Sequence, residues 1–203
     1  MERVITPPVE WAAAARPMDP REVSGDQYLV RATPHGVLVV VADGVGHGRE
    51  AAEAARTAIA LIADAEGDGL IGALDRCHQG LKLTRGAALS LAWFDGTRRD
   101  MTWIGIGNVT GVLVRSSDGE ERQETLLLRG GVLGRNLPVL RAETLTVFPG
   151  DTLVLATDGI RPGFTDQLRS TGSPQQIADH ILAVHGTGDD DALVMVARYR
   201  GRS

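Results

Sequence analysis

Cysteine is almost missing from this 203-residue chain, with Cys77 the single one. That excludes an internal disulfide and suits a reducing compartment. Basic charge is short as well, at 21 Lys and Arg against 26 Asp and Glu, for a formal net charge of -5. A protein whose main task is to grip a phosphate backbone needs the opposite balance, so no nucleic acid is expected as a partner. No apolar stretch reaches the ~18 residues that span a bilayer, and the opening MERVITPPVE lacks a signal-peptide pattern. The expectation is a soluble, cytoplasmic protein with no membrane partner. There is no Pro/Gly/Ser-rich divider, internal repeat or low-complexity segment either. Residues 1–203 therefore read as a single domain, long enough for one sizeable core.

What the chain does have is an aspartate that closes an apolar run and opens a glycine-containing turn, twice. In VLVVVADGVGHG, residues 37–42 read as a buried strand that delivers Asp43 to Gly44, Gly46, His47 and Gly48. In DTLVLATDGI a second apolar run delivers Asp158 and Gly159. Asp189, Asp190 and Asp191 stand just before the last apolar run, ALVMVA, and Asp26 in SGDQY opens an early one. A carboxylate at a strand end is costly to desolvate without a partner. A hard divalent cation is the simplest such partner, because it takes several carboxylate and carbonyl oxygens.

Residues 9–15 and 27–33, bounded by prolines and Gly25, read as two early strands. From Arg49 to Ala63 an alanine-rich helix carries Ala51, Ala55, Ala58, Ile59 and Ile62 on one stripe. A second helix, Leu70 to Leu83, repeats the pattern with Leu70, Leu74, Cys77 and Leu81, which makes Cys77 a core residue. The middle of the chain alternates as antiparallel strands do and is cut by hairpin signals at Asp95-Gly96 and Asp118-Gly119. Glu143 to Phe148 and Thr152 to Thr157 read as a further hairpin around Pro149-Gly150-Asp151. Residues 174–185 return to helical spacing with Ser173 as N-cap before Pro174, and residues 192–199 form a closing strand. Strands in two groups, with helices between and after them, imply an α+β fold of two antiparallel sheets with helices outside.

Some motifs invite other readings. Gly105 to Gly111 resembles a dinucleotide-binding signature, but a strand follows where that signature needs a helix. Each Asp-Gly pair could be only a turn, and the triple aspartate only a solvated helix exit. Their repetition at the ends of strongly apolar strands argues for a site. His47 could be a zinc ligand or an acid, although a loop histidine beside glycines more often forms hydrogen bonds.

Taken in order, SGDQY, VADGVGHGREAA, LVLATDG and DDALVMV resemble the metal-dependent PP2C protein phosphatases, in the bacterial SpoIIE-like branch, over Ser24 to Val196. The resemblance implies an αββα sandwich, two antiparallel β-sheets flanked by helices, and two Mn2+ or Mg2+ ions. It places Asp43 between the two ions with the Gly44 carbonyl on one of them. Asp158 and Asp190 fall on the second ion, and Asp26 completes the shell of the other. The reaction it implies is attack on a phosphoserine or phosphothreonine phosphomonoester by water that the metals activate, with His47 as a candidate proton donor to the leaving oxygen.

The chain also departs from the pattern. Arg16 and Arg21 are the arginines on offer for gripping phosphate, but without the expected context, which leaves phosphate to the metals. Asn108 stands where many relatives have an aspartate for a third metal, and Leu193 stands where Thr or Ser is usual. A stand-alone domain of this kind resembles the phosphatases of the bacterial stressosome. Phosphorylated STAS-domain proteins of such a complex are then the expected partners, docking around Gly46, Arg161 and Pro162. The alternative is a catalytically weak, PP2C-like module that binds phosphoproteins, a pseudophosphatase.

Overall fold

The computed structural model describes residues 8–65, 67–117 and 120–201. Strand β1 (Val9–Arg16) is followed by β2 (Asp26–Thr33) and β3 (Gly36–Gly44), and then by helices α1 (Arg49–Ala63) and α2 (Gly69–Gly80). Next come β4 (Ala87–Asp95), β5 (Asp100–Ile106), β6 (Thr110–Ser117), β7 (Glu120–Thr125), the short β8 (Leu128–Arg129) and β9 (Glu143–Thr146). The chain ends with β10 (Thr152–Ala156), a 3-10 turn (Pro162–Gln167), α3 (Pro174–His185) and β11 (Ala192–Tyr199).

Among the described residues the strands form two sheets. The first has the order β1-β11-β10-β6-β7, and the second β2-β3-β4-β5-β8 with β9 also paired to β5. Pairing is antiparallel except where β8 runs parallel to β5. Val39 and Val41 of β3, Phe94 of β4, Trp103 of β5, Leu153 of β10 and Met195 of β11 share one buried cluster between the sheets. The alternate residues of β3 and β4, Val40, Leu89 and Leu91, face outward and pack on Ala55, Ala58, Leu74 and Cys77 of α1 and α2. Val154 and Val194 do the same against Ile177 and Ala178 of α3. Both faces of the central strands are therefore covered, which is why they read as continuous apolar runs. The layers are helices, sheet, sheet, helix, the expected α+β sandwich.

Local signals hold in several places. Ser173 Oγ accepts from Gln176 N at 3.2 Å while Gln176 Oε1 accepts from Ser173 N at 2.9 Å, a complete capping box. Asp95 Oδ1 accepts from Thr97 N at 2.7 Å and from Arg98 N at 2.8 Å, which shapes the β4–β5 hairpin. β6 and β7 pair as a hairpin, while the Asp118-Gly119 turn signal lies outside the described residues. Cys77 is buried.

Two expectations need correction. Helix α2 stops at Gly80 instead of reaching Leu83, with Leu81 as its buried C-cap residue and Leu83 fully exposed. Glu143–Phe148 and Thr152–Thr157 are not two arms of one hairpin. β9 pairs with β5 in the second sheet, whereas β10 lies between β11 and β6 in the first. The turn between them hands the chain from one sheet to the other. Asp151 fixes it, accepting from Phe148 N at 3.0 Å, Ser116 N at 3.1 Å and Arg115 Nη1 at 3.1 Å. The Gly105–Gly111 motif is another such crossing, carrying β5 of the second sheet into β6 of the first.

Candidate active site

The antiparallel register of β2 and β3 sets Asp26 directly opposite Asp43, at one end of the second sheet. In the first sheet Asp158 follows β10 and Asp190 precedes β11, two strands that are themselves paired. The sandwich brings these corners together. A cleft of about 520 Å³ is lined by Asp43, Gly46, Asn108, Gly131, Asp158 and Asp190, among others.

The glycine after each strand-end aspartate has a specific cause. Neither Gly44 nor Gly159 is in the left-handed conformation that turn glycines adopt. A Cβ on Gly44 would stand 2.0 Å from the Ala51 carbonyl oxygen of α1, and one on Gly159 would stand 2.1 Å from the Asp191 carbonyl oxygen. Each Asp-Gly pair is thus a close backbone crossing that fixes the aspartate against a neighbouring element, not an isolated turn.

Hydrogen bonds hold the carboxylates further. The Thr157 hydroxyl donates to Asp26 Oδ2 at 2.8 Å and accepts from Leu193 N at 2.9 Å, tying the second sheet to the first. The last two members of the triple aspartate have different surroundings. Asp191 is buried and accepts from Met18 N at 2.8 Å and Gly25 N at 2.7 Å, clasping the β1–β2 connection to β11. Its own N–H donates to Asp190 Oδ1 at 2.8 Å, which sets Asp190 on the cleft wall. Asn108, in the β5–β6 crossing, donates from Nδ2 to Asp158 Oδ2 at 2.6 Å.

The site is electrostatically loaded. Burial, with the repulsion of Asp43 next, pushes the Asp26 carboxyl up to about 8, against the Thr157 hydrogen bond. Burial and the nearby Asp158 push Asp43 up to about 7, opposed by the Asn108 amide. Asp190 is raised too, by burial and, more weakly, by its acidic neighbours, against the hydrogen bond from Asp191 N. Like charges directly opposite on paired strands destabilise a sheet. An all-oxygen donor set short of positive charge fits a hard dication such as magnesium or manganese. Asp43, Asp158, Asp190, Asp26 and the Gly44 carbonyl are the groups that could hold one. Among the described residues no three acidic, histidine or cysteine side chains already close around an ion position.

The remaining candidates fall elsewhere. His47 is exposed and lines a neighbouring cleft of about 650 Å³ with Arg21, Glu22, Arg49, Glu50 and Arg85. Arg21 is held by Asp19, with Nη2 to Oδ2 at 2.8 Å. Arg16 is not brought to the carboxylates: its Nη2 is buried beside Gly186, 2.7 Å from where a Cβ there would stand. Gly46, at φ 89°, does line the carboxylate cleft. Sequence reasoning missed Thr157 and took Asp191 only as a member of the acidic cluster, without its separate role of holding Met18 N and Gly25 N. It also took Asn108 only as the residue standing where relatives carry a third-metal aspartate, without foreseeing its bond to Asp158.

Fold and site together define a PP2C-type protein phosphatase. The chain belongs to the SpoIIE family, Stage II sporulation protein E, which it matches over residues 33–200. It is 25% identical over 177 residues to the phosphoserine phosphatase RsbX of Bacillus subtilis strain 168, covering 87% of each chain. A solved structure described as the bacterial stressosome, a modular system adapted to control secondary messenger signalling, contains a similar chain. That chain is 29% identical, with a TM-score of 0.84 over 94% of this chain and 99% of the other. The crystal structure of RsbX in complex with magnesium shares the fold at 22% identity, with a TM-score of 0.83 over 98% and 97% of the two chains.

Proposed function

We propose that the chain hydrolyses phosphoserine and phosphothreonine on proteins of a stressosome-type pathway, with STAS-domain phosphoproteins as substrates, and that a single domain performs the reaction in the cytoplasm. The observation that carries this reading is the convergence of Asp43 and Asp158, one from each sheet and each locked by a glycine crossing, on one cleft with Asp190. Similarity to RsbX and to a chain of the stressosome structure supports the choice of substrate. Among the described residues no helix is long and apolar enough to cross a membrane.

Asp43 and Asp26 would hold one ion with the Gly44 carbonyl, and Asp158 and Asp190 would hold a second ion that Asp43 shares. Two magnesium or manganese ions bound there supply a nucleophilic water near neutral pH and neutralise the phosphoryl oxygens. The chain's own contribution is placement. Thr157 keeps Asp26 aimed at Asp43, Asp191 steadies Asp190 through the backbone, and Asn108 orients Asp158. No cysteine or serine nucleophile is used, in keeping with the buried Cys77, whose thiol burial pushes up to about 12. His47 lines the neighbouring cleft and not the carboxylate cleft, so any part it takes in returning a proton to the leaving oxygen would be a minor one.

The weaker-enzyme reading has one observation in its favour. The Asn108 amide already occupies Asp158 Oδ2, so an ion there competes with a hydrogen bond. Hydrolysis of a chromogenic phosphomonoester in manganese, repeated with chelator, decides between the two. Turnover that chelator abolishes is expected, and its absence in manganese would leave only the binding module.

A further inference from the structure

The carboxylate cleft and the arginine-bearing cleft beside it share one rim, the loop from Val45 to Gly48. Arg85 lies on that rim. Its Nη1 stands 2.7 Å from where a Cβ on Gly46 would be, and Gly46 is part of the carboxylate cleft wall. The backbone that carries Arg85 is clamped from both sides. Val45 N donates to the Gly86 carbonyl at 3.0 Å, and Arg135 donates from Nε to the Arg85 carbonyl at 3.2 Å and from Nη2 to the Thr84 carbonyl at 3.1 Å. The side chain itself is 45% exposed and ion-paired with Glu50, which is 66% exposed. Both partners of that pair are open to solvent, and exposed pairs contribute little to stability. A guanidinium on a fixed stem, facing a carboxylate that solvent can replace, is suited to exchanging that carboxylate for one from a partner, because its planar fork grips carboxylates bidentately. Arg21 is gripped at two points by Asp19, with Nε to Oδ1 at 3.0 Å and Nη2 to Oδ2 at 2.8 Å. That leaves Arg85 the more exchangeable cation, with Arg49 beside it.

We propose that this second cleft is a docking subsite for acidic side chains next to the phosphorylated residue. Arg85 is its specificity-determining side chain, and Glu50 occupies Arg85 until substrate arrives. The proposal rests on the phosphatase reading and narrows its substrate class to phosphoproteins with an acidic flank. Residues of an extended substrate are only ~3.5 Å apart, so those next to a phosphoserine in the carboxylate cleft must leave across its rim, and the Val45–Gly48 loop is the stretch that opens onto the second cleft.

The test uses two fluorescent phosphopeptides that differ only in flanking carboxylates replaced by amides. Hydrolysis is followed in manganese and binding by anisotropy in chelator. The wild type should favour the acidic peptide about tenfold in kcat/KM, through KM. Arg85→Gln should erase the preference, Arg85→Lys should keep part of it, and Glu50→Gln should enlarge it by removing the competitor. An undiminished preference in Arg85→Gln, or an equal loss on both peptides, overturns the proposal. If the wild type hydrolyses neither peptide, the chromogenic phosphomonoester decides the phosphatase reading and anisotropy alone decides the docking. Tighter binding of the acidic peptide by the wild type than by Arg85→Gln then upholds the subsite, and equal binding removes it.

Discussion

The two corners that face the cleft are built alike but housed differently. Asp26 and Asp43 stand opposite one another on paired strands, Asp26 only 4% exposed, and both are pushed far above the ordinary carboxylate range. Asp158 is exposed and Asp190 half-buried, and each accepts a hydrogen bond, from the Asn108 amide or the Asp191 backbone. Hydrogen bonds reach the first corner as well, from Thr157 to Asp26 and from the Asn108 amide towards Asp43, so the difference lies in burial and mutual repulsion, a cost that a proton or a cation would remove. Under the proposed reading, strong ion binding would belong to the first corner and adjustable binding to the second.

The largest effect should come from breaking the buried corner. Asp43→Asn removes the charge that both ions would share, and we expect manganese-dependent kcat to fall by about 10³-fold or more with the circular dichroism spectrum unchanged. Near wild-type rates in that variant would contradict the assignment. Breaking the open corner should cost less: Asp158→Ala and Asp190→Ala are each expected to lower turnover on the order of 10²-fold. Calorimetric titration should show one ion weakened and the other retained. Two ions bound at unchanged affinity would rule those ligands out.

Metal-free stability sharpens the comparison. A carboxyl whose folded pKa is raised holds its proton in the native state while the unfolded chain has already released it. Stability is therefore full below about pH 4 for this term and falls as pH rises towards 7 and 8, the values for Asp43 and Asp26. Without metal, the melting temperature should drop on the order of 5 °C between pH 5 and pH 8.5, and manganese should flatten the slope. Asp26→Asn, which cannot ionise, should flatten it without metal, whereas Asp158→Ala should do so less. Equal slopes in all three proteins would show that burial at the first corner is not the source. The smallest effect is expected from His47→Ala, below about tenfold in kcat, since His47 lines the neighbouring cleft and not the carboxylate cleft.

Much of this was legible because strand burial and strand-end chemistry are local. Val37 to Ala42 had to be a strand covered on both faces, and the Ser173 cap and the alanine stripe of α1 carry their signals within a few residues. Which sheet a strand joins is not local. The segments 143–148 and 152–157 alternate as hairpin arms would, and only the pairing of β9 with β5 and of β10 with β11 separates a hairpin from a crossing. In the same way, adjacent aspartates in Asp189-Asp190-Asp191 are alike in sequence. Asp191 differs because Met18 and Gly25, far away in the chain, present N–H groups to it. The resemblance chose Asp190 for the site, and the structure puts Asp190 on the cleft wall.

β11 holds the last residues of the described fold, yet it sits inside the first sheet, between β1 and β10. On a ribosome, β1 therefore has no neighbour in its sheet, and the Asp191 clasp cannot close, until translation has passed residue 199 and that stretch has cleared the exit tunnel. A stalled polypeptide lacking residues 186–203 should therefore show neither protease resistance in its β1 segment nor any hydrolysis.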